Sequence, residues 1–401
     1  MTNQLMLMQQ PSFNLSRVPR IVFGPDKVDA LPNLILEFGP SVLLVTGQGS
    51  YKAAGKWNSL VTALDEKSIT TAHVTVQGEP TPEFVDDVAA EYRSEGIDVV
   101  VGIGGGSALD AGKAISAMIP QAIPVVELLE GVGTGATHDG RKIPFIAVPT
   151  TAGTGSEATK NAVLRRVGDQ GFKNSLRHEN LVPDIALIDP ELQLTCPREV
   201  TAACGLDAFT QLLEAYTSNI ANDFTDALAL SGLRRVVECL VPAASDGAEN
   251  VDIRGGMAYG ALLSGICLAN AGLGIVHGLA SPIGGFFDIP HGVVCGTLLA
   301  VATRVNVETL SNKFGSDHPA LRKYADVGNV VQSAKEKDTL KACEMLVQQL
   351  ESWTETLQVP RLSSYGVTAD DVDRIVAKAG NKNNPITLDS AQIQQILEER
   401  I

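Results

Sequence analysis

Two histidines inside one apolar segment are the residues of this chain best suited to chemistry. His277 and His291 lie fourteen positions apart in a stretch studded with glycine and proline, and the whole chain has only six histidines. A glycine follows each of them, so the backbone beside each ring is free to bend or to be approached closely. Imidazole is the commonest protein ligand for borderline divalent metals. The pair therefore indicates either a metal site or two hydrogen-bonded histidines of the core.

The segment GLDAFTQLLE at 205–214 adds oxygen ligands to this picture. On a helix Asp207 and Gln211 stand one turn apart on the same face, and Glu214 lies about one turn further along. The Asp207 carboxylate could bind a metal, whereas Gln211 could do so only through a neutral, weaker amide oxygen. The alternative for an acidic residue near a helix start is stabilisation of the helix N-terminus by its charge.

Two polar loops follow apolar, strand-like runs. The run DVVVGI leads into three glycines at 104–106 and Ser107, and the run IPFIAV leads into PTTAGTGSE at 149–157. Glycines at a strand-to-helix turn let backbone N–H groups approach a phosphate, although the spacing differs from G-x-G-x-x-G. The hydroxyls of the second loop could bind a ribose or a phosphate. The alternatives are a tight turn without a ligand and a loop that satisfies its own hydroxyl groups.

The elements that must position these residues change in character near residue 190. In the first part, continuous apolar runs typical of buried parallel strands alternate with helical stretches. The strands are predicted at 41–46, 72–76, 98–103, 143–148 and 185–188, and the helices at 52–64, 82–95 and 108–118. After residue 190 the predicted elements are helices, at 198–218, 223–243, 253–272, 321–327, 340–357 and 369–378. We therefore predict a Rossmann-like α/β nucleotide-binding domain at 1–190 and an all-α domain for metal and substrate at 191–401.

Composition narrows the classes of function. The formal net charge of −15 argues against nucleic-acid binding, and no uninterrupted apolar run is long enough to predict a membrane span. Residues 1–20 lack a basic start followed by an apolar core, so we expect no signal peptide there. The six cysteines are scattered without a CxxC pair, which favours buried thiols in a reducing cytoplasm.

Four motifs, in order, resemble those of the iron-containing (group III) alcohol dehydrogenases. They are GGGSALD at 104–110, PTTAGTGSE at 149–157, GLDAFTQLLE at 205–214 and HGLASPIGGFFDIPHG at 277–292. The resemblance covers the chain from about residue 40 to residue 300, and the four motifs together are highly specific. It implies a dehydroquinate-synthase-like fold in which a nicotinamide cofactor lies in the cleft between the two domains, above a divalent metal. It also implies a homodimer.

The resemblance assigns roles to individual residues. Asp207, His277 and His291 match three of the four metal ligands and, with Ser281, form the predicted catalytic set. The residues it assigns to the cofactor lie in the two polar loops, except for a lysine expected on the cofactor ribose; they are Gly104, Gly105, Gly106, Ser107, Asp110, Thr150, Thr151, Thr154, Ser156 and Lys173.

Three departures from the family pattern carry information. Gln211 stands where the family usually has a second metal histidine, so the fourth predicted ligand is an amide. Ser281 replaces a histidine thought to assist proton transfer, which leaves a hydroxyl or a water chain for that step. Gly47 stands where an aspartate would hold the ribose 2′-hydroxyl of NAD, and the missing carboxylate permits the 2′-phosphate of NADP. NADP is therefore favoured over NAD.

These observations predict an NAD(P)-dependent oxidoreductase that interconverts a small alcohol and its aldehyde or ketone with the help of Fe²⁺ or Zn²⁺. The first alternative is a metal-independent enzyme of the maleylacetate-reductase type, which reduces an oxo-acid. The second is a lyase of the dehydroquinate-synthase type that uses the nucleotide transiently. The third is a binding protein with a decayed site.

Overall fold

The computed structural model describes residues 12–401, with the backbone alone described at Ser50. The part of the N-terminal segment at 1–11, on which the absence of a signal peptide was predicted, lies outside the described residues. The strands are β1 (Arg20–Phe23), β2 (Ser41–Thr46), β3 (Thr70–Thr75), β4 (Val99–Gly104), β5 (Phe145–Pro149), β6 (Asn161–Arg166), β7 (Phe172–Arg177) and β8 (Ile185–Ile188).

Six of the strands form one parallel sheet in the order β1-β8-β5-β4-β2-β3. Every residue of the central strands β4 and β5 is buried, because helices cover both faces of the sheet. The predicted α/β fold class is confirmed, and the predicted bounds of β2 and β8 agree with the structure. The carboxyl ends of β2, β4 and β5 meet at one edge, where such sheets bind ligands.

The sequence analysis missed three strands. β6 and β7 form a separate antiparallel hairpin, and their mixed polar composition has no buried apolar run. β1 is an edge strand of the main sheet, and Ile21 and Phe23 on it are exposed. Exposure removes the continuous apolar pattern that identified the buried strands.

The helices of the first part pack on the sheet: α1 (Leu31–Leu36), α2 (Ser50–Ala53), α3 (Trp57–Glu66), α4 (Pro82–Tyr92) and α5 (Gly106–Met118). The predicted helix at 52–64 is broken in two at Gly55, whose φ of 71° is a left-handed conformation that ends α2. α5 follows the three-glycine turn and is buried from Ala108 to Met118, which makes it the central helix of this part.

The second part consists of helices: α6 (Arg198–Thr217), α7 (Asp223–Ala243), α8 (Val251–Ala271), α9 (Ile275–Phe286), α10 (His291–Phe314), α11 (Pro319–Val331), α12 (Thr339–Thr356), α13 (Val372–Lys378) and α14 (Ser390–Glu398). α6 and α10 lie at its centre, in contact with one another and with α7, α8 and α12. Since β8 ends at Ile188 and α6 begins at Arg198, the predicted boundary at residue 190 falls in the connection between them.

Helix α10 has the length and hydropathy of a membrane span, but 72% of its apolar window is buried inside the protein. Burial of that kind is what a core helix shows, so the apolar composition of α10 is explained by packing. α9 is similarly apolar, and it joins the end of α8 at a bend of 99°. Neither α9 nor α10 was predicted. Glycine and proline interrupt 274–292 and hide the helical character of α9 and of the start of α10.

Candidate metal and nucleotide site

Three helices of the second part bring four ligand atoms together. The Asp207 Oδ1 atom lies 3.2 Å from His277 Nε2 and 3.7 Å from His291 Nε2. The Cys295 Sγ atom lies 3.6 Å and 3.7 Å from the same two ring nitrogens. All four ligand atoms are within 4.8 Å of one another, a spacing that a single metal ion can bridge. We call Asp207, His277, His291 and Cys295 the four-residue cluster.

Local helix geometry explains how these side chains meet. His291 is the first residue of α10, directly after Pro290, and Cys295 follows one turn later on the same face. His277 lies in the first turn of α9, after Gly274 has turned the chain sharply away from α8. Asp207 lies midway along α6 and is 1% exposed. The cluster thus sits where α6 meets the N-terminal turns of α9 and α10.

Glu214 holds the His277 ring in place. Its Oε2 atom lies 2.6 Å from His277 Nδ1, and its Oε1 atom accepts a hydrogen bond of 2.7 Å from the backbone N–H of Val276. With Nδ1–H donated to Glu214, Nε2 is the ring nitrogen that faces Asp207 and Cys295. A carboxylate behind a ligating histidine fixes the ring tautomer and raises its basicity, as is usual in metal centres.

The pKa values of the cluster show strong mutual interaction. Burial alone would raise the pKa of Asp207, but the two histidines lower it to about 2. Burial would likewise lower the pKa of His277, yet Cys295 and Glu214 raise it well above its usual value. Burial and the Lys173 ammonium lower the pKa of His291 to about 3, and burial raises that of Cys295 to about 12. The Asp207 carboxylate is thus strongly stabilised as an anion, which is the form that binds metals.

The two residues that replace family histidines have other partners. Gln211 is buried on α6, and its amide oxygen accepts a hydrogen bond of 2.7 Å from the Ser264 hydroxyl on α8. Ser281 lies one turn after His277, and its hydroxyl donates to the His277 carbonyl over 3.3 Å. Ligation by Gln211 and a catalytic role for Ser281 remain predictions.

The three-glycine turn forms a cradle at the N-terminus of α5. Gly104 has a φ of 153°, and a side chain on Gly106 would come within 2.7 Å of the Thr154 side chain. A side chain on Gly105 would come within 3.4 Å of Thr151. Gly105 is the N-cap residue of α5 and provides no side-chain cap. The turn therefore fits a phosphate group, which the positive end of the α5 dipole would stabilise.

The loop at 149–157 connects this cradle to the metal helices. Thr151 and Thr154 face the glycines, and a side chain on Gly153 would come within 2.8 Å of Cys204, one turn before Asp207 on α6. Gly155 packs directly against Gly265 of α8. The loop therefore contacts both the glycine cradle and α6, the helix that carries Asp207.

Several predicted cofactor residues are buried in the protein interior. Thr150 is 1% exposed, and its backbone N–H extends the pairing of β5 to Gly104. Ser156 is 4% exposed and lies 3.0 Å from the Thr154 hydroxyl. The Asp110 carboxylate is buried on α5, where it accepts from the Val163 backbone N–H and lies 3.8 Å from Lys113 Nζ. Cofactor contact by these residues remains a prediction.

Lys173 lies beside the four-residue cluster. It projects from β7, its Nζ atom donates to the Glu79 carboxylate over 2.7 Å, and its stem packs on Gly284 of α9. Its charge affects the His291 ring, so it faces the metal end of the site. Contact with the cofactor ribose remains a prediction.

Gly47 and Ser107 lie at the opening of the cradle. The Gly47 N–H donates to the Ile103 carbonyl over 3.3 Å, next to Gly104, and no atom lies within 4 Å of where its side chain would begin. Ser107 is in the first turn of α5 and is half-buried. Both positions are open to a ligand that rests on the glycines.

The sequence analysis missed two residues of the site. It considered Glu214 only as part of a helix face, and it grouped Cys295 with the other buried thiols. All six cysteines are unpaired, as predicted, but Cys295 lies inside the cluster. The spacing of four between His291 and Cys295 was a usable signal, since on a helix it places both side chains on one face.

Known proteins match both parts of the chain. The sequence profile of the iron-containing alcohol dehydrogenases matches residues 19–190, and that of the C-terminal region of the Fe-containing alcohol dehydrogenase family matches residues 201–401. The chain belongs to the iron-containing alcohol dehydrogenase family. This membership confirms the resemblance inferred from the four motifs.

Individual relatives of this iron-containing alcohol dehydrogenase cover almost all of it. The 1,3-propanediol dehydrogenase of Citrobacter freundii is 31% identical, with 90% of this chain and 96% of the relative aligned. Alcohol dehydrogenase 4 of Schizosaccharomyces pombe is 32% identical, with 97% and 87% aligned. A crystal structure of 1,3-propanediol oxidoreductase has a TM-score of 0.85 at 29% identity and covers 98% of this chain and 100% of that one.

The relatives also decide between the alternatives. They are alcohol and propanediol dehydrogenases, so the chain is an oxidoreductase of the alcohol dehydrogenase type. The metal-independent oxo-acid reductase receives no support from them. The family uses NAD(P) and a metal, and the four-residue cluster offers a place for that metal.

Proposed function

We propose that the protein interconverts a small primary alcohol and its aldehyde, with NADP(H) in the glycine cradle and a divalent metal in the cluster at Asp207, His277 and His291. The single observation that carries the proposal is the convergence of these ligand atoms, in a protein whose loop at 149–157 contacts both the glycine cradle and α6, the helix that carries Asp207. Residues 1–190 would bind the dinucleotide, and residues 191–401 the metal and the substrate.

The protein's own groups prepare the reaction in separate ways. When bound, the metal would supply Lewis acidity that polarises the substrate oxygen. Glu214 fixes the His277 ring, and the cradle orients the cofactor so that its nicotinamide C4 can exchange a hydride with the carbinol carbon. The Ser281 hydroxyl, one turn from His277, is the side chain we assign to passing on the alcohol proton.

The activity test combines turnover with metal analysis. The purified protein is mixed with NADPH and a panel of aldehydes from short to long chain, because relatives include both 1-propanol and long-chain-alcohol dehydrogenases. We expect NADPH oxidation with the short aldehydes, stoichiometric metal, and loss of activity after chelation that the metal restores. Full activity in metal-free protein would contradict the mechanism, and failure to bind either dinucleotide would contradict the function.

The preference for NADP rests on Gly47, which leaves space and no negative charge at the end of β2. Since no atom lies within 4 Å of its Cβ position, an aspartate fits there without displacing a neighbour. We expect Gly47→Asp to raise the KM for NADPH by at least about tenfold, because the carboxylate repels the 2′-phosphate. The KM for NADH should stay unchanged. Gly47→Asn is the matched control, because it adds the same bulk without the charge. An equal effect of both variants would show that charge is not the determinant.

Assembly and location follow as further parts of the proposal. Ile21 and Phe23 are exposed on the edge strand β1, and Val18 is exposed two residues before it. An exposed apolar edge favours pairing with a second copy. The exposed edge supports a homodimer. The six unpaired cysteines support a reducing cytoplasm as its location. Light scattering should give a dimer for the protein and a shift towards monomer for Ile21→Lys.

A further inference from the structure

We propose that Cys295 is a ligand of the metal, so that this chain holds its metal with aspartate, two histidines and a cysteine, and that Gln211 lies outside the ligand set. The inference deepens the proposed function and rests on it, because it requires the cluster to bind a metal. It assigns the fourth position to a residue that the motif comparison did not identify.

The position of the sulfur is the first argument. Cys295 is completely buried, and its Sγ atom is nearly equidistant from the two Nε2 atoms, at 3.6 Å from His277 and 3.7 Å from His291. It shares its helix face with His291, one turn away on α10. Cys295 belongs to the buried core of the second part, but its sulfur also completes a group of atoms that all carry lone pairs.

The position of Gln211 is the second argument. An amide can bind a metal only through its oxygen, and in Gln211 that oxygen accepts the Ser264 hydrogen bond at 2.7 Å. The bond joins α6 to α8, and both residues are buried. Ligation through that oxygen would compete with this buried bond, and the Ser264 hydroxyl would then donate to the Ala261 carbonyl, 2.8 Å away. Cys295 needs no such rearrangement.

The chemistry of the ligand set is the third argument. A cysteine bound to a metal loses its proton, so Asp207 and Cys295 together would balance the charge of a divalent ion. Thiolate is a soft ligand, and with imidazole it favours zinc over the harder divalent ions. The set therefore selects zinc more strongly than three imidazoles and a carboxylate would. Because Gln211 stands where the resemblance places a histidine, a set that includes Cys295 would have one imidazole fewer and one thiolate more than the family's ligand set.

X-ray absorption of the zinc-loaded, full-length protein tests the assignment directly. We expect one sulfur neighbour at about 2.3 Å beside nitrogen and oxygen neighbours at about 2.0–2.2 Å. The sulfur should vanish in Cys295→Ser and persist in Cys267→Ser, a matched control in which a fully buried thiol on α8 is replaced. A shell without sulfur in the unmodified protein, or a sulfur that persists in Cys295→Ser, would overturn the proposal.

Metal affinity gives a second readout. By competition with a chelator, Cys295→Ser should weaken zinc binding by more than the roughly 10- to 100-fold typical of losing an outer partner of a ligand. Gln211→Ala should change it by less than Cys295→Ser does. The reverse order would assign the fourth position to Gln211.

The outcomes separate this inference from the proposed function. Protein that reduces aldehydes but shows only nitrogen and oxygen around zinc keeps the function and loses the inference. Protein that shows the sulfur but turns over no aldehyde loses the function and keeps the ligand assignment. Protein that binds no zinc loses the inference, and its residual aldehyde reduction then decides the function.

Discussion

The protein contains two buried polar centres that differ in how their atoms are satisfied. In the α/β part, Lys113 is completely buried, and its Nζ atom donates to Ser156 O, Thr159 Oγ1 and Asn161 O at 2.7–2.8 Å. Three donors meet three acceptors, so the Lys113 ammonium needs no ligand. It ties α5 to the loop that contacts the glycine cradle.

The four-residue cluster is the opposite case. Its four atoms are all potential electron-pair donors that face one another. A cation is the partner that such a set lacks. Burial of charge therefore does not itself identify a functional site. The informative difference is whether the buried polar atoms find their bonding partners within the protein.

The largest expected effect comes from removing a residue of the four-residue cluster. His277→Ala should lower kcat/KM for aldehyde reduction by about 10³- to 10⁴-fold, because several kcal/mol of transition-state stabilisation by the metal are lost. Bound metal, measured by elemental analysis, should fall in parallel. His138→Ala is the control, since that histidine is also buried but bonds only to backbone groups. Undiminished activity in His277→Ala would remove the cluster from the mechanism.

Removing the buried Lys113 ammonium should affect stability instead of activity. Lys113→Met removes the ammonium from three acceptors, and the Thr159 hydroxyl can then donate to only one of the two carbonyls. It should lower the free energy of unfolding by about 3–5 kcal/mol in denaturant titrations. Metal content per folded molecule should stay unchanged. Lys341→Met, at an exposed ion pair, should leave stability unaltered. Loss of metal with little loss of stability would show that Lys113 supports the four-residue cluster.

The pH dependence of stability sharpens the same contrast. Burial raises the pKa of Glu157, next to Lys113, from 4.5 to about 7. The folded state therefore keeps a proton that the unfolded chain releases near pH 4.5. The protonated Glu157 carboxyl therefore contributes on the order of 3 kcal/mol to the free energy of unfolding below pH 4.5. This contribution is lost as the pH rises to about 7. Glu157→Gln should lack this slope, so the difference between the two proteins' unfolding free energies should change by that amount between pH 4.5 and pH 7. Parallel profiles between pH 4.5 and 7 would refute the assignment.

The smallest effect is expected at Glu214, which contacts His277 but does not belong to the four-residue cluster. Glu214→Gln keeps the shape of the side chain but weakens its hold on His277 Nδ1, so metal affinity should fall by roughly 10- to 100-fold with the fold intact. Chelator competition measures the change. Gln392→Ala, on α14 and far from the histidines, is the control. Unchanged affinity in Glu214→Gln would mean that packing alone orients the ring.

Much of the fold was predictable because it is encoded locally. Buried parallel strands are continuous apolar runs, so the bounds of β2 and β8 agreed with the structure, and α7 was predicted as Asp223–Ala243. The exposed edge strand β1 and the hairpin of β6 and β7 lack that signal and were missed. α9 was missed because it contains Pro282 and several glycines, which its packing against neighbouring helices tolerates.

The sequence by itself determined the family, the glycine cradle, and the identities of Asp207, His277 and His291, because short motifs report backbone conformation and residue chemistry directly. Only the tertiary structure decided which atoms meet. His277 lies 63 residues from Glu214 and 70 from Asp207, and helix periodicity carries no information across such separations. The same packing placed Cys295 among the ligands and gave the Gln211 oxygen to Ser264. Those contacts depend on how α6, α8, α9 and α10 cross, which long-range burial determines.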